Sequence, residues 1–213
     1  LINQARNLQE RKAAALMRMH DEALANIDYL RKRLDVLNRD APARQEGLRR
    51  LSANEWQGAD RARIAAAFDS LNYAPALSPP RGVYDELIST GMFAELGDPR
   101  LRDAISSYYA YADFVQHQVD YIRGEMVARI GGRTYPGSRA VYDPAAPRQT
   151  RIVYDFPAMS ADPQVVSALV LDNATLAAQL EWTRHTLQAA TAMCAELARI
   201  DGRACTASAP PPG

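Results

Sequence analysis

Three stretches of this chain repeat an apolar residue at alternating steps of three and four positions. They cover residues 16–37, 101–126 and 169–197. Because an α-helix turns once every 3.6 residues, such steps place the repeated side chains in one stripe along a helix. A helix with an apolar stripe buries it against neighbouring helices, as in bundles and coiled coils. The pattern therefore predicts an all-α fold: an elongated antiparallel bundle of three long helices, with shorter helices between them.

Residues that favour helix ends flank the predicted long helices. Asp98-Pro99 precedes the second and Asp162-Pro163 the third. An aspartate can accept from the free N–H groups of the first turn, and proline has no N–H to leave unpaired. Gly131-Gly132 and Gly202 predict the C-terminal ends of these two helices, since glycine readily adopts the left-handed conformation found there.

Two shorter helices are also predicted. One covers residues 79–90, with Ser78 as its N-cap and Gly91 as its terminator. A β-branched residue in place of Gly91 should therefore destabilise the fold. The other covers residues 59–71 and has three apolar residues on one face. These residues are Ile64, Ala67 and Phe68.

A proline-rich insert at 132–162 separates the second and third long helices. It contains two similar runs, AVYDP and IVYDF. Because its prolines limit strand pairing, an irregular loop is favoured and a small β-hairpin is the alternative. A connection this long often carries function. Its candidate interaction residues are Tyr142, Asp143, Tyr154 and Asp155.

The length of 213 residues favours a single helical domain over 1–203, followed by a flexible tail at 204–213. Lys+Arg and Asp+Glu both number 25, so the formal net charge is zero and no nucleic-acid partner is predicted. The basic runs at 31–33 and 49–50 lie close to acidic residues and are interpreted as solvated helix faces. The acidic pairs Asp21-Glu22 and Asp85-Glu86 receive the same interpretation, because adjacent helical residues point apart.

No catalytic, cofactor or metal motif is found in the sequence. It lacks a nucleophile elbow, a phosphate-binding glycine loop and a dinucleotide fingerprint. The three histidines fall one on each long helix. His20 lies on its stripe and is predicted to be a satisfied buried or boundary histidine, whereas His117 and His185 should point away from the core. A shared metal site is therefore not expected, and no cofactor is predicted.

The two cysteines, Cys194 and Cys205, flank the predicted end of the third long helix. A disulfide between them would hold the C-terminal tail against its own helix and would favour an oxidising compartment. Two free thiols, with Cys194 buried, are equally compatible with the sequence.

The segment RGVYDELISTGMFAELGDPRLRDAISSYY resembles a motif of an uncharacterised family of bacterial membrane-anchored proteins with a helical extracytoplasmic domain. The matching positions are Tyr84, Leu87, Ile88, Thr90, Gly91, Leu101, Arg102, Tyr108 and Tyr109. Tyr108 lies on the stripe, whereas Tyr109 could make either bundle contacts or a partner surface. The resemblance implies a periplasmic domain anchored to the inner membrane by a helix preceding Leu1. A start without methionine fits that expectation. The family has no assigned activity.

Three functional hypotheses follow. The first is a non-enzymatic extracytoplasmic domain that senses a small ligand or binds a protein partner. The second is a cytoplasmic coiled-coil scaffold that forms homo-oligomers through the long apolar stripes. The third is an enzyme whose site lies under the 132–162 insert and combines its tyrosines and aspartates with the bundle end.

Overall fold

A computed structural model describes residues 2–72, 74–130, 135–146 and 149–205, and of residues 2–5, 72 and 126–130 only the backbone. The fold is mostly α-helical, which confirms the predicted class. The helices are α1 Ile2–Asn38, α2 Ala41–Ala53, α3 Arg61–Asp69, α4 Gly82–Ser89, α5 Pro99–Ile130, α6 Phe156–Ser160 and α7 Pro163–Asp201, with 3-10 turns at Ser70–Asn72 and Ala94–Leu96. The strands are β1 Ser138–Tyr142 and β2 Thr150–Tyr154.

The three predicted long helices correspond to α1, α5 and α7. Their stripe residues with described side chains are buried or half-buried within the single chain. Helix α2 was not predicted, although Pro42 in its first turn is a typical start signal.

The predicted start signals of α5 and α7 are confirmed. The Asp98 Oδ1 accepts hydrogen bonds from the backbone N–H groups of Arg100 (2.9 Å) and Leu101 (3.2 Å). The Asp162 Oδ1 accepts from the backbone N–H of Gln164 at 2.9 Å. Both carboxylates thus satisfy donors that have no partner inside the helix.

Two predicted helix terminators adopt the left-handed conformation. Gly91, just after α4, has φ +72°, and Gly202, just after α7, has φ +71°. The N–H of Gly202 donates to the carbonyl of Ala198 at 2.9 Å, which closes the last turn of α7. The other predicted terminator, Gly131-Gly132, lies outside the described residues.

Helix α4 begins at Gly82, later than predicted, and Ser78 is not its N-cap. Ser78 and Pro79 each precede a proline, and the residue before a proline disfavours the helical conformation. The backbone N–H of Ser78 instead donates to the hydroxyl of Tyr29 at 2.9 Å. The carboxylate that caps α4 comes from α1.

The prediction that the insert forms an irregular loop is wrong. Strands β1 and β2 pair in antiparallel register, from Ser138 opposite Tyr154 to Tyr142 opposite Thr150. The prolines do not interfere, because neither strand contains one and Pro144 lies in their connection.

The contacts divide the chain into two compact units. The first is drawn from Leu1–Asp35, Leu77–His117 and Glu181–Gly213, and the second from Val36–Ala76 and Gln118–Leu180. The core of the first unit includes Met19, Ile27, Leu30, Leu101, Ile105 and Tyr108. The core of the second includes Leu51, Trp56, Phe68, Phe156 and Met159.

Two charged residues of α1 that were predicted to be solvated are buried. Glu22 is 8% exposed and Arg33 is 6% exposed. The Nε of Arg33 donates to the Thr183 hydroxyl at 3.4 Å. A helix packed on more than one side buries a wider arc than its apolar stripe, which also explains the buried Asn26.

Candidate functional site

A cleft of about 370 Å³ opens in the first unit, beside the N-terminal end of α4. Leu77, Pro79, Ala112 and the ring of Tyr109 form its apolar walls. Its polar lining comes from Ser78, Arg81, Asp113 and Gln116. The cleft therefore combines apolar surface with a few polar groups, as small-molecule sites do.

Arg81 is the only basic residue among those that line this cleft. Its Nη1 donates to the Asp113 Oδ1 at 2.6 Å, and its Nε donates to the Asp85 Oδ1 at 3.1 Å. Burial disfavours the charged form of Arg81, but the hydrogen bonds to Asp113 and Asp85 outweigh burial and raise its pKa. Its guanidinium carbon also lies 5.8 Å from the centre of the Tyr84 ring and 5.9 Å from that of Tyr109.

The segment that precedes α4 forms another wall and is tied to α5 and α1. The backbone N–H of Leu77 donates to the Gln116 Oε1 at 2.6 Å. With the bond from Ser78 to Tyr29, two consecutive backbone donors are satisfied by side chains. The prolines keep this segment extended, so that its backbone faces these side chains.

Tyr109, which lines the cleft, belongs to a cluster of stacked aromatic rings. The rings of Tyr84 and Tyr109 lie nearly parallel, with centres 4.0 Å apart. Phe93 meets Tyr84 edge-on at 6.0 Å, and Tyr108 meets Tyr109 edge-on at 4.7 Å. Such aromatic packing holds Tyr109 in one orientation.

The buried carboxylate of Glu22 anchors this cluster. Its Oε2 accepts from the backbone N–H of Val83 at 2.6 Å, and its Oε1 accepts from the N–H of Tyr84 at 3.1 Å. The same Oε1 accepts from the Tyr109 hydroxyl at 2.5 Å. Glu22 thus caps α4 from another helix, where the helix dipole favours a negative charge.

The tyrosine hydroxyls of the cluster hold their protons firmly. Burial, followed by the hydrogen bond to Glu22, raises the pKa of Tyr109 well above its ordinary value. Burial and the charge of Glu22 raise the pKa of Tyr108 in the same way. Near neutral pH, Tyr109 therefore acts as a neutral hydrogen-bond donor and Tyr108 as a neutral packing group, and neither acts as a base.

Five of the predicted motif residues contribute to the cluster or the core beside it, including Leu87 of α4, which is 1% exposed. Tyr84 and Tyr109 stack, Tyr108 packs on Tyr109, and Leu101 is fully buried. Tyr109 therefore makes bundle contacts, one of the two roles considered for it. Gly91 ends α4, and Arg102 is half-buried outside the lining of the cleft.

The sequence did not indicate the polar residues of the cleft. Arg81, Asp113 and Gln116 belong to no motif, and Glu22 was interpreted as part of a solvated face. Glu22 and its partner Val83 lie 61 positions apart in the chain. The only local signal is the Pro79-Pro80 pair, which indicates that the chain is extended before α4.

The three histidines do not converge. His117 and His185 are exposed, as predicted. His20 is fully buried, and its Nδ1 lies 2.8 Å from the Asp201 Oδ2, which confirms the prediction of a satisfied buried histidine. Cys194 and Cys205 form a disulfide beside it, with the Cys194 Sγ 3.7 Å from the His20 Nε2.

The residues predicted to form an interaction site on the insert lie at opposite ends of the hairpin. Tyr142 and Asp143 adjoin the connection between the strands, whereas Tyr154 and Asp155 adjoin α6. Four residue steps along a strand span about 13 Å. The insert therefore does not bring these four side chains together.

Each end of the hairpin has its own contacts. The Tyr154 hydroxyl donates to the Asp69 Oδ1 at 2.7 Å. The Asp155 Oδ1 caps α6 by accepting from the N–H of Ala158 at 3.2 Å. Tyr142 is 75% exposed, and the Asp143 Oδ1 accepts from the nearby Ala145 N–H. These contacts stabilise the hairpin and α6 and form no shared pocket among the four residues.

Within the described part of the chain, none of the helices is long and apolar enough to cross a bilayer. Comparison with protein-family models, curated proteins and solved structures found no match to this chain.

Proposed function

We propose that this chain is a non-enzymatic helical domain that senses a small ligand, and that it lies outside the cytoplasm of a bacterium as part of a membrane-anchored protein. The cleft beside α4 is the observation that carries the ligand-sensing role. The disulfide between Cys194 and Cys205 supports an oxidising compartment. The motif around Tyr84 and Tyr109 supports the membrane-anchored context.

The size and lining of the cleft suit a small organic molecule. Ligand pockets typically enclose roughly 300–1,000 Å³ and combine apolar walls with a few polar groups. The cleft, at about 370 Å³, lies at the lower end of that range. Its ligand should therefore be the size of a metabolite.

The charges around the cleft favour a cation. Arg81 faces two carboxylates, Asp113, which lines the cleft, and Asp85, which lies outside the lining, so this group of three carries one net negative charge. The face of the Tyr109 ring adds an attraction for positive charge. We therefore assign the cleft to a small organic cation with an apolar body, whose charged group pairs with Asp113.

The main alternative, a scaffold that dimerises through its apolar stripes, receives less support. The described stripe side chains of α1, α5 and α7 are buried or half-buried inside one chain. They cannot form a seam with a second copy without unpacking the core.

Binding can be tested with a panel of primary and quaternary amines and size-matched carboxylates, monitored by two-dimensional NMR of the labelled protein. We expect amines to shift the amide resonances of the residues around the cleft, and Asp113→Asn to weaken binding about tenfold, which equals about 1.4 kcal/mol. Asp113 is half-exposed, so its substitution should leave the fold intact.

Asp120→Asn is the matched control, because Asp120 is an aspartate of the same helix, is 54% exposed and lies outside the cleft. It should leave amine binding unchanged. Equal binding of amines and carboxylates, or equal loss in the two variants, would reject the cleft as a cation site. Alkaline phosphatase fused to the full-length gene product tests the location, since that enzyme requires an oxidising compartment.

A further inference from the structure

A second group of side chains in the first unit has the chemistry of a metal site. One ligand atom each from His20, Cys194 and Cys205 lies within 4.8 Å of the other two. His20 and Cys194 are fully buried, and Cys205 is half-buried. The group shares no residue with the cleft beside α4.

The histidine is oriented as metal-binding histidines are. Its Nδ1 lies 2.8 Å from the Asp201 carboxylate, which can only accept, so Nδ1 carries the proton. The Nε2 lies 3.7 Å from the Cys194 sulfur and 3.4 Å from the Ala204 carbonyl oxygen. Asp201 is itself held, because its other oxygen accepts from the backbone N–H of Arg203 at 3.0 Å. A carboxylate behind a histidine in this way fixes the ring for metal binding.

We propose that reduction of the Cys194–Cys205 disulfide converts this group into a Zn²⁺ site, with His20 Nε2 and the two thiolates as ligands. Two sulfurs and one imidazole nitrogen form a ligand set that zinc prefers, and water completes the tetrahedron. Zinc–sulfur and zinc–nitrogen bonds are about 2.0–2.3 Å long, so tetrahedral ligands lie less than about 4 Å apart. The observed spacing requires only a small movement of Cys205, which follows the end of α7.

The disulfide and the metal exclude each other. An external dithiol transfers two electrons and two protons to the S–S bond, which breaks into two thiols while the dithiol becomes its own disulfide. Zn²⁺ then displaces the two thiol protons, which pass to the buffer. The oxidised chain therefore holds the tail covalently, and the reduced chain holds it through the metal.

The test is a titration of the full chain with Zn²⁺, in competition with a chromophoric chelator, after reduction by a phosphine that is itself oxidised. Co²⁺ serves as a second probe, because thiolate ligation gives a charge-transfer band. We expect one ion per reduced chain and none per oxidised chain. Cys205→Ser should abolish binding, and Asp201→Asn should weaken it about 10–100-fold.

His185→Gln is the matched control. His185 lies on α7, as Cys194 does, but it is exposed and pairs with Glu181 at 3.0 Å. It should leave the stoichiometry and affinity unchanged. The proposal is overturned if the oxidised chain binds equally well, if Cys205→Ser retains binding, or if His185→Gln removes it. Cys205 is half-buried and follows the end of α7, so its replacement by serine should leave the fold intact. Circular dichroism of Cys205→Ser should therefore match that of the reduced wild type.

Discussion

A tyrosine donates to a carboxylate in each of the two units, but the two pairs are built differently. In the first unit the Tyr109 hydroxyl donates to Glu22 at 2.5 Å, and in the second the Tyr154 hydroxyl donates to Asp69 at 2.7 Å. Both tyrosines pack in aromatic clusters, Tyr109 on Tyr84 and Tyr154 on Phe156. Burial, and then the hydrogen bond to the carboxylate, raises the pKa of each tyrosine.

The two carboxylates differ in how many donors depend on them. Glu22 is buried, and its two oxygens accept from three donors, two of them backbone N–H groups of α4. Asp69 remains partly exposed, and its Oδ1 accepts from Tyr154. A tyrosine–carboxylate pair therefore joins three helices in the first unit. In the second unit such a pair only links the hairpin to α3.

Replacing each carboxylate by its amide should give the largest contrast. In Glu22→Gln the new NH₂ must face a backbone N–H or the Tyr109 hydroxyl, which leaves a buried donor unsatisfied. We expect a loss of about 2–3 kcal/mol in the free energy of unfolding. In Asp69→Asn the remaining oxygen still accepts from Tyr154, so the loss should stay below about 0.5 kcal/mol. Urea unfolding followed by circular dichroism measures both.

Asp21→Asn controls for charge on α1, because Asp21 is adjacent to Glu22 but 64% exposed and paired with Arg203. Its cost should be no more than about 0.5 kcal/mol. If Glu22→Gln and Asp69→Asn destabilised the protein equally, the proposed difference between the pairs would be wrong.

Two left-handed glycines, one in each unit, give a second comparison, in which the second unit should be the more sensitive. A Cβ on Gly137, beside the hairpin, would lie 2.7 Å from the Met159 Cγ and 3.2 Å from the Asp155 carbonyl oxygen, whereas a Cβ on Gly91 would meet nothing within 4 Å. Gly91→Ala should cost only the conformational term of about 1 kcal/mol. Gly137→Ala should cost about 2–3 kcal/mol, because steric overlap is added.

Thermal melts of the two alanine variants give the comparison. Gly91→Val should lower the melting temperature more than Gly91→Ala does, because a β-branched residue adopts the left-handed conformation poorly. Equal melting temperatures for Gly91→Ala and Gly137→Ala would mean that the hairpin end relaxes around the added methyl group.

Two aspartates should change the stability of the protein with pH in opposite directions. This is the smallest of the expected effects. Partial burial raises the pKa of Asp69, although the Tyr154 hydrogen bond opposes the shift. A carboxyl with a raised folded pKa binds its proton more tightly in the folded chain. Its contribution to the free energy of unfolding is therefore present at low pH. That contribution is lost as pH rises from the pKa of the unfolded chain through the pKa of the folded chain.

Asp98 behaves in the opposite way. The hydrogen bond from Arg199, with the N–H of Leu101, lowers its pKa. Its contribution to the free energy of unfolding is present above the pKa of the unfolded chain. That contribution is lost as pH falls through the lowered pKa of the folded chain. Urea midpoints measured between about pH 3 and 7 should therefore rise less steeply with pH in Asp98→Asn than in the wild type, and more steeply in Asp69→Asn. Identical profiles for the two variants would contradict these assignments.

The sequence predicted the long helices because their causes are local. The apolar periodicity of α5 and its Asp98-Pro99 start signal each depend on residues only a few positions apart. In the structure α5 begins at Pro99, and Asp98 caps it as expected. The proline content of the insert favours an irregular loop over the hairpin that forms, because composition does not show that the prolines lie outside both strands.

The candidate site could not be predicted in the same way. Adjacent positions on α1, Asp21 and Glu22, look alike in the sequence, yet one is exposed and the other is buried. What separates them is the proximity of α4, which brings the Val83 and Tyr84 N–H groups to Glu22. Neither hydropathy nor spacing encodes that contact.

The sequence by itself determined the three long helices and the approximate positions of α3 and α4, where several of these helices start and stop, and that the class is all-α, because periodicity and capping are short-range effects. Tertiary structure alone decided that Glu22 caps α4 and that Arg81 and Asp113 meet at a cleft. It also decided that His20 contacts Asp201, which lies 181 positions away in the chain. Each of these contacts satisfies a buried or half-buried polar group. Which partner is available depends on the packing of distant segments and not on the residues nearby in the chain.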